Sequence, residues 1–293
     1  MWGIKERVMA LTIKVLLENH KAAGVDNALK ARPGLSLLVQ DESTSILFDT
    51  GPDDSFLQNA STMRIDLSDI SAVVLSHGHY DHCGGVPWLP DNSRIICHPE
   101  MARERYAAIT LPGMTRKIKK LSREGDYSRY RMVYTRDPMP ISDKFIWSGE
   151  IPVAMPEAYG VFGGRDAEPD YISDEGVLIY KSEKGLVIIT GCGHRGIANI
   201  VRHWHKSALC ACRRISSTLC ITIHLVASQA VFKRTKTRKT MRLPLYRHLG
   251  ALVVARNDCA CNWRCAALLN KARRLMDSSC GWAEMAPFSS PYQ

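Results

Sequence analysis

The sequence predicts a mixed α+β domain, because short apolar runs typical of strands alternate with helical stretches over the first 200 residues. Two loops that contain glycine, histidine and cysteine each follow such an apolar run, which places reactive side chains at strand ends. With 293 residues, of which 45% are hydrophobic, the chain is long enough for one large domain or two ordinary ones. A disordered or fibrous chain is therefore excluded.

The apolar runs predict strands at residues 12–18, 35–40, 45–48, 70–76, 94–97, 176–180 and 185–190. Helical patterns cover residues 56–60, 101–109 and 197–201, and a charged, turn-rich insertion is expected at residues 112–140. Asp49-Thr50-Gly51-Pro52 ends the third strand because glycine and proline interrupt an extended run. The strand at 70–76 leads directly into a histidine cluster, and Gly191-Cys192-Gly193-His194 follows the last strand.

Charge and cysteine are unevenly distributed along the chain. The net charge is +10, yet residues 1–200 hold 23 basic and 26 acidic residues, whereas residues 201–293 hold 16 basic and 3 acidic residues. Seven of the ten cysteines also lie in this last part, but their C-x-C spacings do not form the paired C-x2-C pattern of a zinc ribbon. We therefore predict a core at residues 1–201 and a basic, Cys-rich C-terminal part at residues 202–293.

The sequence shows neither a membrane-spanning segment nor a secretory signal. No apolar run reaches the roughly 20 residues of a membrane-spanning helix, and the first residues lack the apolar stretch and cleavage site of a signal peptide. We expect a cytoplasmic protein without a membrane partner, whose cysteines are reduced thiols. The oligomeric state is left open.

The strongest functional signal is an H-x-H-x-D-H motif that starts at His77, directly after a buried strand. A tight loop that contains glycine can turn His77 and His79 toward one metal ion. The same loop can turn Asp81 and His82 toward a second ion. A solvated loop that happens to be rich in histidine is the less favoured alternative, because four ligand side chains coincide with a strand end.

This motif and its flanking segments resemble the metallo-β-lactamase superfamily. The similar segments are residues 17–19, 34–39, 46–51, 74–85 and 187–197. Together they look like the branch of metal-dependent hydrolases that includes the archaeal dihydropterin ribofuranosylaminobenzene phosphate synthase. The resemblance covers residues 12–201 and implies a four-layer αββα sandwich, with two central mixed sheets, helices outside and metal ions at one edge.

The resemblance implies a role for each residue of the histidine motif. His77 and His79 match the ligands of a first metal ion, and Asp81 and His82 match those of a second. Asp81 is also placed to orient an attacking water, which makes it the catalytic residue of the predicted site. The implied cofactors are two divalent metal ions, zinc before manganese or iron.

Three residues outside the motif complete the predicted core site. Asp49 matches an aspartate that holds the histidine loop by hydrogen bonds. His194 lies where the superfamily supplies a ligand after a later strand. Cys192 is a further candidate ligand, and a small buried thiol is an equally good interpretation of it.

Beyond residue 201 the resemblance is faint. Residues 222–225 and 253–261 correspond to two motifs of the branch, and the second correspondence places Asp258 where the branch has a histidine ligand. Aspartate can bind zinc, manganese or iron through oxygen, so a second metal site with Asp258 as ligand is predicted. A reading-frame change in the gene would explain the composition of residues 202–293 as well as divergence does.

Three functions follow from these residues. The leading one is a metal-dependent hydrolase or related synthase that activates water against a small, anionic substrate. The basic insertion at residues 112–140 would favour an anionic substrate where it borders the pocket. A solvated charged loop is the more common interpretation of such an insertion. The second function is a nuclease or RNA-processing enzyme of the same superfamily that binds nucleic acid through the basic residues 233–239. The third is a non-catalytic relative with an impaired second metal site, as Asp258 suggests.

Overall fold

Two mixed six-stranded sheets form the middle of the fold and a smaller third sheet adjoins them. The strands are β1 (Thr12–Leu17), β2 (Ser36–Gln40), β3 (Ser45–Phe48), β4 (Ala72–Val74), β5 (Arg94–Cys97), β6 (Arg105–Leu111), β7 (Met114–Lys120), β8 (Arg131–Tyr134), β9 (Met139–Pro140), β10 (Phe145–Trp147), β11 (Gly160–Phe162), β12 (Pro169–Asp170), β13 (Leu178–Ser182), β14 (Gly185–Ile189), β15 (Ile221–Leu225) and β16 (Ala251–Ala255). Among the residues that the structure describes, the helices are α1 (Ser55–Thr62), α2 (Tyr80–Cys83) and α3 (Ile197–Ala211), and a 3-10 turn covers Val86–Trp88.

This computed structural model describes residues 11–21, 24, 26–111, 114–164, 167–182, 185–211, 221–225 and 251–255. For residues 205–211, 221–225 and 251–255 it describes the backbone. None of the helices in these ranges is both long and apolar enough to cross a membrane.

The first sheet has the order β1-β2-β3-β4-β5-β8 and the second the order β16-β15-β14-β13-β10-β9. In the first sheet β3, β4, β5 and β8 run parallel to one another, so that the ends of β3 and β4 meet at the same edge. In the second sheet β14 and β15 are parallel and the other neighbours are antiparallel.

Alternating side chains fill both faces of each central sheet. In β2, Leu37 and Val39 belong to the apolar cluster between the two sheets, whereas Leu38 belongs to the cluster that also contains α1 residues. In β13, Leu178 faces the first sheet, and Ile179 packs with residues of α3. Because both faces are buried, these strands are continuous apolar runs in the sequence. The layers are α1, first sheet, second sheet and α3, which confirms the predicted αββα sandwich.

The prediction of a helix at residues 101–109 is wrong. Residues 105–111 form β6, which pairs with β7 in a long antiparallel hairpin, and β11 and β12 extend the hairpin into a four-stranded sheet. Tyr106 lies opposite Lys120 in this hairpin. The strand forms because a partner strand is available nine residues away in the charged insertion, which the local pattern did not reveal. The insertion at residues 112–140 therefore contains β7, β8 and β9 rather than turns alone.

Two further predictions differ in extent from the structure. The predicted strand at residues 70–76 is shorter, since β4 covers Ala72–Val74. The helix predicted at residues 197–201 continues to Ala211. Beyond it, β15 includes residues 222–225 and adds to the second sheet beside β14. The division of the chain at residue 201 stays a prediction.

Candidate metal centre

Three strand ends meet at one edge of the sandwich and bring the predicted site residues together. Asp49 directly follows β3, the histidine loop follows β4, and the loop with Cys192 and His194 follows β14. The two loops touch at Gly191, where an added Cβ would lie 2.5 Å from Ser76 Oγ. A side chain at position 191 would therefore push the loops apart.

The histidine loop is compact and buried. His77 Nε2 lies 3.0 Å from His79 Nδ1, and the ring centroids of His77 and His82 are 4.4 Å apart. His79 immediately precedes the short helix α2, which carries His82 in its single turn. Gly78 is required between the first two histidines, because a Cβ there would lie 2.0 Å from the carbonyl oxygen of Met101.

Asp49 is bonded to this loop at three points. Its Oδ1 accepts a hydrogen bond from Ser76 N at 2.7 Å, and its Oδ2 lies 2.8 Å from Ser76 Oγ and 2.7 Å from His82 Nδ1. Asp49 is fully buried and has a left-handed backbone with φ of 59°, which aspartate tolerates better than most residues. A carboxylate on Nδ1 leaves Nε2 of His82 as the nitrogen that faces the pocket.

The second loop places a thiol and an imidazole against these histidines. Cys192 Sγ lies 3.0 Å from His82 Nε2, and the ring of His194 lies 4.9 Å from His77 and 5.2 Å from His79 between centroids. One potential ligand atom from each of His77, Cys192 and His194 lies within 4.8 Å of the other two. This spacing is suitable for a shared metal ion.

Asp81 lies at the solvent side of the pocket. One of its carboxylate oxygens is 3.9 Å from His82 Nε2, and its side chain is 24% exposed. The structure thus gathers seven predicted residues in one place: Asp49, His77, His79, Asp81, His82, Cys192 and His194. Asp258 lies outside the described residues.

Burial keeps most of the imidazoles neutral. It lowers the pKa of His77 and His79 well below the usual value, with neighbouring histidines adding to the effect on both. Burial also lowers the pKa of His194 to about 3. Burial alone would lower the pKa of His82 too, but Cys192 and Asp49 outweigh it and raise that pKa well above its usual value. Neutral imidazole is the form that binds metals.

Two buried nitrogens support a bound cation directly. Within the described part of the chain, Nε2 of His79 and Nε2 of His194 are buried and have no hydrogen-bond partner. Unpaired polar atoms of this kind are rare in folded proteins and are often explained by an ion or water. The imidazole, carboxylate and thiol donors form a set that zinc and related divalent ions prefer. The residues present therefore fit a divalent metal ion.

Three further contacts lie in or beside the pocket. Ser76 Oγ lies 2.9 Å from His77 Nδ1 and so links Asp49 to a second histidine. The ring of Tyr159 packs on His194 at 4.4 Å between centroids. Lys119 Nζ donates to the hydroxyl of Tyr80 at 2.9 Å. The position of Ser76 beside the motif was a usable signal, whereas Tyr159 carries none.

Several known proteins are similar to this chain in sequence. The sequence model of the metallo-beta-lactamase superfamily matches residues 29–196, which include both ligand loops. Uncharacterized protein MJ0448 of Methanocaldococcus jannaschii is 30% identical over 209 residues, which cover 66% of this chain and 74% of that protein. The 7,8-dihydropterin-6-methyl-4-(beta-D-ribofuranosyl)-aminobenzene-5'-phosphate synthase of the same organism is 29% identical over 216 residues, which cover 67% of this chain and 72% of the synthase.

A solved structure is also similar to this chain. Tm1679, a metal-dependent hydrolase of the beta-lactamase superfamily, superimposes with a TM-score of 0.55 and 28% sequence identity over 68% of this chain and 72% of that chain. The predicted resemblance is confirmed, since the family match covers more than half of the sequence and the fold agrees. The chain belongs to the metallo-beta-lactamase superfamily.

Proposed function

We propose that this chain is a metal-dependent hydrolase, or a synthase that uses the same activated water, and that it holds two divalent ions at the edge of the sandwich. The observation that carries the proposal is the convergence of two distant loops on one pocket, where Nε2 of His79 and Nε2 of His194 lie buried without partners among the described residues. Superfamily membership supports it, because these proteins typically bind divalent metals and are generally hydrolytic.

We assign the ligand roles as the resemblance to the superfamily implies. His77, His79 and His194 would hold one ion. Asp81 and His82 would hold the second, and Cys192 lies close to both groups. Asp258 stays a predicted ligand of the second ion. Zinc is the first candidate for both positions, with manganese or iron as alternatives.

The chemistry requires no serine or cysteine nucleophile. Divalent ions bound in such a pocket supply Lewis acidity and lower the pKa of water toward about 7, so that hydroxide is available at neutral pH. Asp81, whose carboxylate is partly exposed, accepts a hydrogen bond from the attacking water and can take up its proton. Asp49 holds His82 in the orientation that directs Nε2 into the pocket.

A small anionic substrate is the class that the surroundings of the pocket support best. Lys119 lies beside the pocket because its ammonium group contacts Tyr80, the residue before Asp81. The hydrogen bond to Tyr80 raises the pKa of Lys119 and keeps the ammonium group charged. The synthase relative has a 5'-phosphate in its name. A phosphate or carboxylate on the substrate would be attracted to this cation.

Hydrolysis assays on metal-loaded protein test the proposal. The zinc- or manganese-loaded chain should hydrolyse members of a phosphoester and lactone panel, and His79→Ala and Asp81→Ala should each abolish turnover. His98→Ala is the matched control, because His98 is equally buried but bonds to Glu150 outside the pocket. Retained activity in His79→Ala or Asp81→Ala would refute the assignment of the site.

A further inference from the structure

One short segment before β13 contacts both ligand loops. Asp174, Glu175 and Gly176 are consecutive, and both carboxylates are buried. Gly176 N donates to the carbonyl oxygen of Ser76 at 2.9 Å, which attaches the segment to the start of the histidine loop. The carboxylates of Asp174 and Glu175 bind different loops.

Asp174 is bonded to the histidine loop and to a buried arginine. Its Oδ2 accepts a hydrogen bond from Gly78 N at 2.7 Å. Arg105 pairs with both oxygens, with Nη1 2.9 Å from Oδ1 and Nη2 2.8 Å from Oδ2. Every partner of the two oxygens is an N–H donor, so an amide NH2 in place of either oxygen would face another donor. Because the backbone of Gly78 also lies against Met101, the loop has little room to adjust.

Glu175 is bonded to the other ligand loop. Its Oε2 accepts a hydrogen bond from Arg195 N at 2.6 Å. Burial raises the pKa of Glu175 to about 7, and the backbone N–H groups of Arg195, His194 and Gly193 limit this rise. The side chain of Arg195 donates to the carbonyl oxygen of Ile151 at 2.8 Å, which holds this end of the loop against the second sheet. Glu175 therefore sets the backbone position from which the His194 ring enters the pocket.

We infer that Asp174 and Glu175 are positioning residues that set the separation of the two ligand loops and thereby the affinity of the metal centre. The two carboxylates belong to adjacent residues, so one peptide unit and two side chains limit the distance between the loops that they bind. Arg105 neutralises part of the buried negative charge and ties Asp174 to β6, since it is itself the first residue of that strand. This inference rests on the proposed function, because it takes the pocket to be a metal centre.

Zinc affinity, measured by competition with a chromogenic chelator, tests the inference in Asp174→Asn and Glu175→Ala. Groups that orient metal ligands typically contribute 10–100-fold to affinity, so a loss of about that size is expected in each variant. The visible absorption of bound Co²⁺ should change as well, because displaced ligands alter the geometry around the ion. Glu175→Ala removes the oxygen that accepts from Arg195 N and decides the result should Asp174→Asn fail to fold. Glu175→Gln keeps an acceptor oxygen for this bond and should restore most of the zinc affinity that Glu175→Ala loses.

Asp170→Asn is the matched control. Asp170 is as buried as Asp174 and pairs with the same arginine, at 3.2 Å from Arg105 Nη1, but none of its hydrogen bonds reaches either ligand loop. This variant should lower the Tm of the metal-free protein as Asp174→Asn does, yet retain wild-type zinc affinity and the wild-type Co²⁺ spectrum. Equal affinity in all variants, or an equal loss in Asp170→Asn, would overturn the inference alone. Absence of zinc binding by the wild-type chain would overturn the proposed function and this inference with it.

Discussion

Replacing Asp49 with asparagine is expected to weaken both the fold of the histidine loop and its affinity for metal. Asparagine has nearly the same shape as aspartate and tolerates the left-handed backbone found at this position, with φ of 59°. Its carbonyl oxygen can still accept from Ser76 N, but its NH2 group then faces Ser76 Oγ and His82 Nδ1. An NH2 donor there favours the His82 tautomer with its proton on Nε2, which removes the lone pair that faces the pocket.

The size of the effect follows from these contacts. Hydrogen bonds to charged groups contribute about 1.5–3 kcal/mol each to stability, and the bond to His82 is lost or reversed. For a domain of this size such a loss lowers Tm by about 3–12 °C. Metal affinity should fall about 10–100-fold, the range measured for groups that orient metal-binding histidines.

Thermal unfolding of the metal-free protein and chelator competition measure the two effects separately. Asp66→Asn is the control, because Asp66 also accepts from the N–H and the hydroxyl of one serine, Ser68, but is exposed on the surface. It should leave zinc affinity unchanged and change stability by less than about 0.5 kcal/mol. Wild-type zinc affinity in Asp49→Asn would refute the view that this carboxylate orients a metal ligand.

Three further changes have defined outcomes. Cys192→Ser should abolish the sulfur-to-cobalt charge-transfer absorption of the Co²⁺-loaded protein, and a preserved band would exclude Cys192 as a ligand. Gly191→Ala should lower the free energy of unfolding by about 1–3 kcal/mol, because the added methyl group meets Ser76 Oγ at 2.5 Å. Gly125→Ala is the control, since the nearest neighbour of its added methyl group is 3.4 Å away, and an equal Tm in the two variants would contradict this prediction. Lys119→Ala should raise KM for a phosphate-bearing substrate with little change in kcat, and an unchanged KM would argue against a role for this cation in substrate binding.

The parts of the structure that the sequence predicted are those with local patterns. Strands β2, β3 and β4 of the first sheet and β14 of the second are mostly buried on both faces, so their apolar runs were easily recognised. Strands β8 and β10 of the same two sheets are short and were not predicted. The histidine loop was recognisable because its ligands lie within six residues and follow a strand directly. The shared edge of β3 and β4 then explains why Asp49 reaches this loop.

The parts that were missed depend on partners that the local pattern of a segment does not reveal. Residues 105–111 form a strand because β7 and β11 pair with them, and the charged residues of β7 conceal its own strand character. The contact between Asp174 and Gly78 spans 96 residues, and an acidic pair before a strand has no distinctive local pattern. Arg105 is buried and pairs with two carboxylates. The residue type alone argues against burial, because arginine is almost never fully buried unless it is paired.

Zinc content per chain, measured by elemental analysis after loading and desalting, tests most directly whether the two loops form one metal centre. The wild-type chain should retain close to two ions. A His77→Ala/His194→Ala double variant loses one ligand from each loop and should retain far less zinc, while its far-ultraviolet circular dichroism stays that of the wild type. A wild-type chain that retains no zinc, or a double variant that retains as much as the wild type, would contradict a metal centre built from these loops.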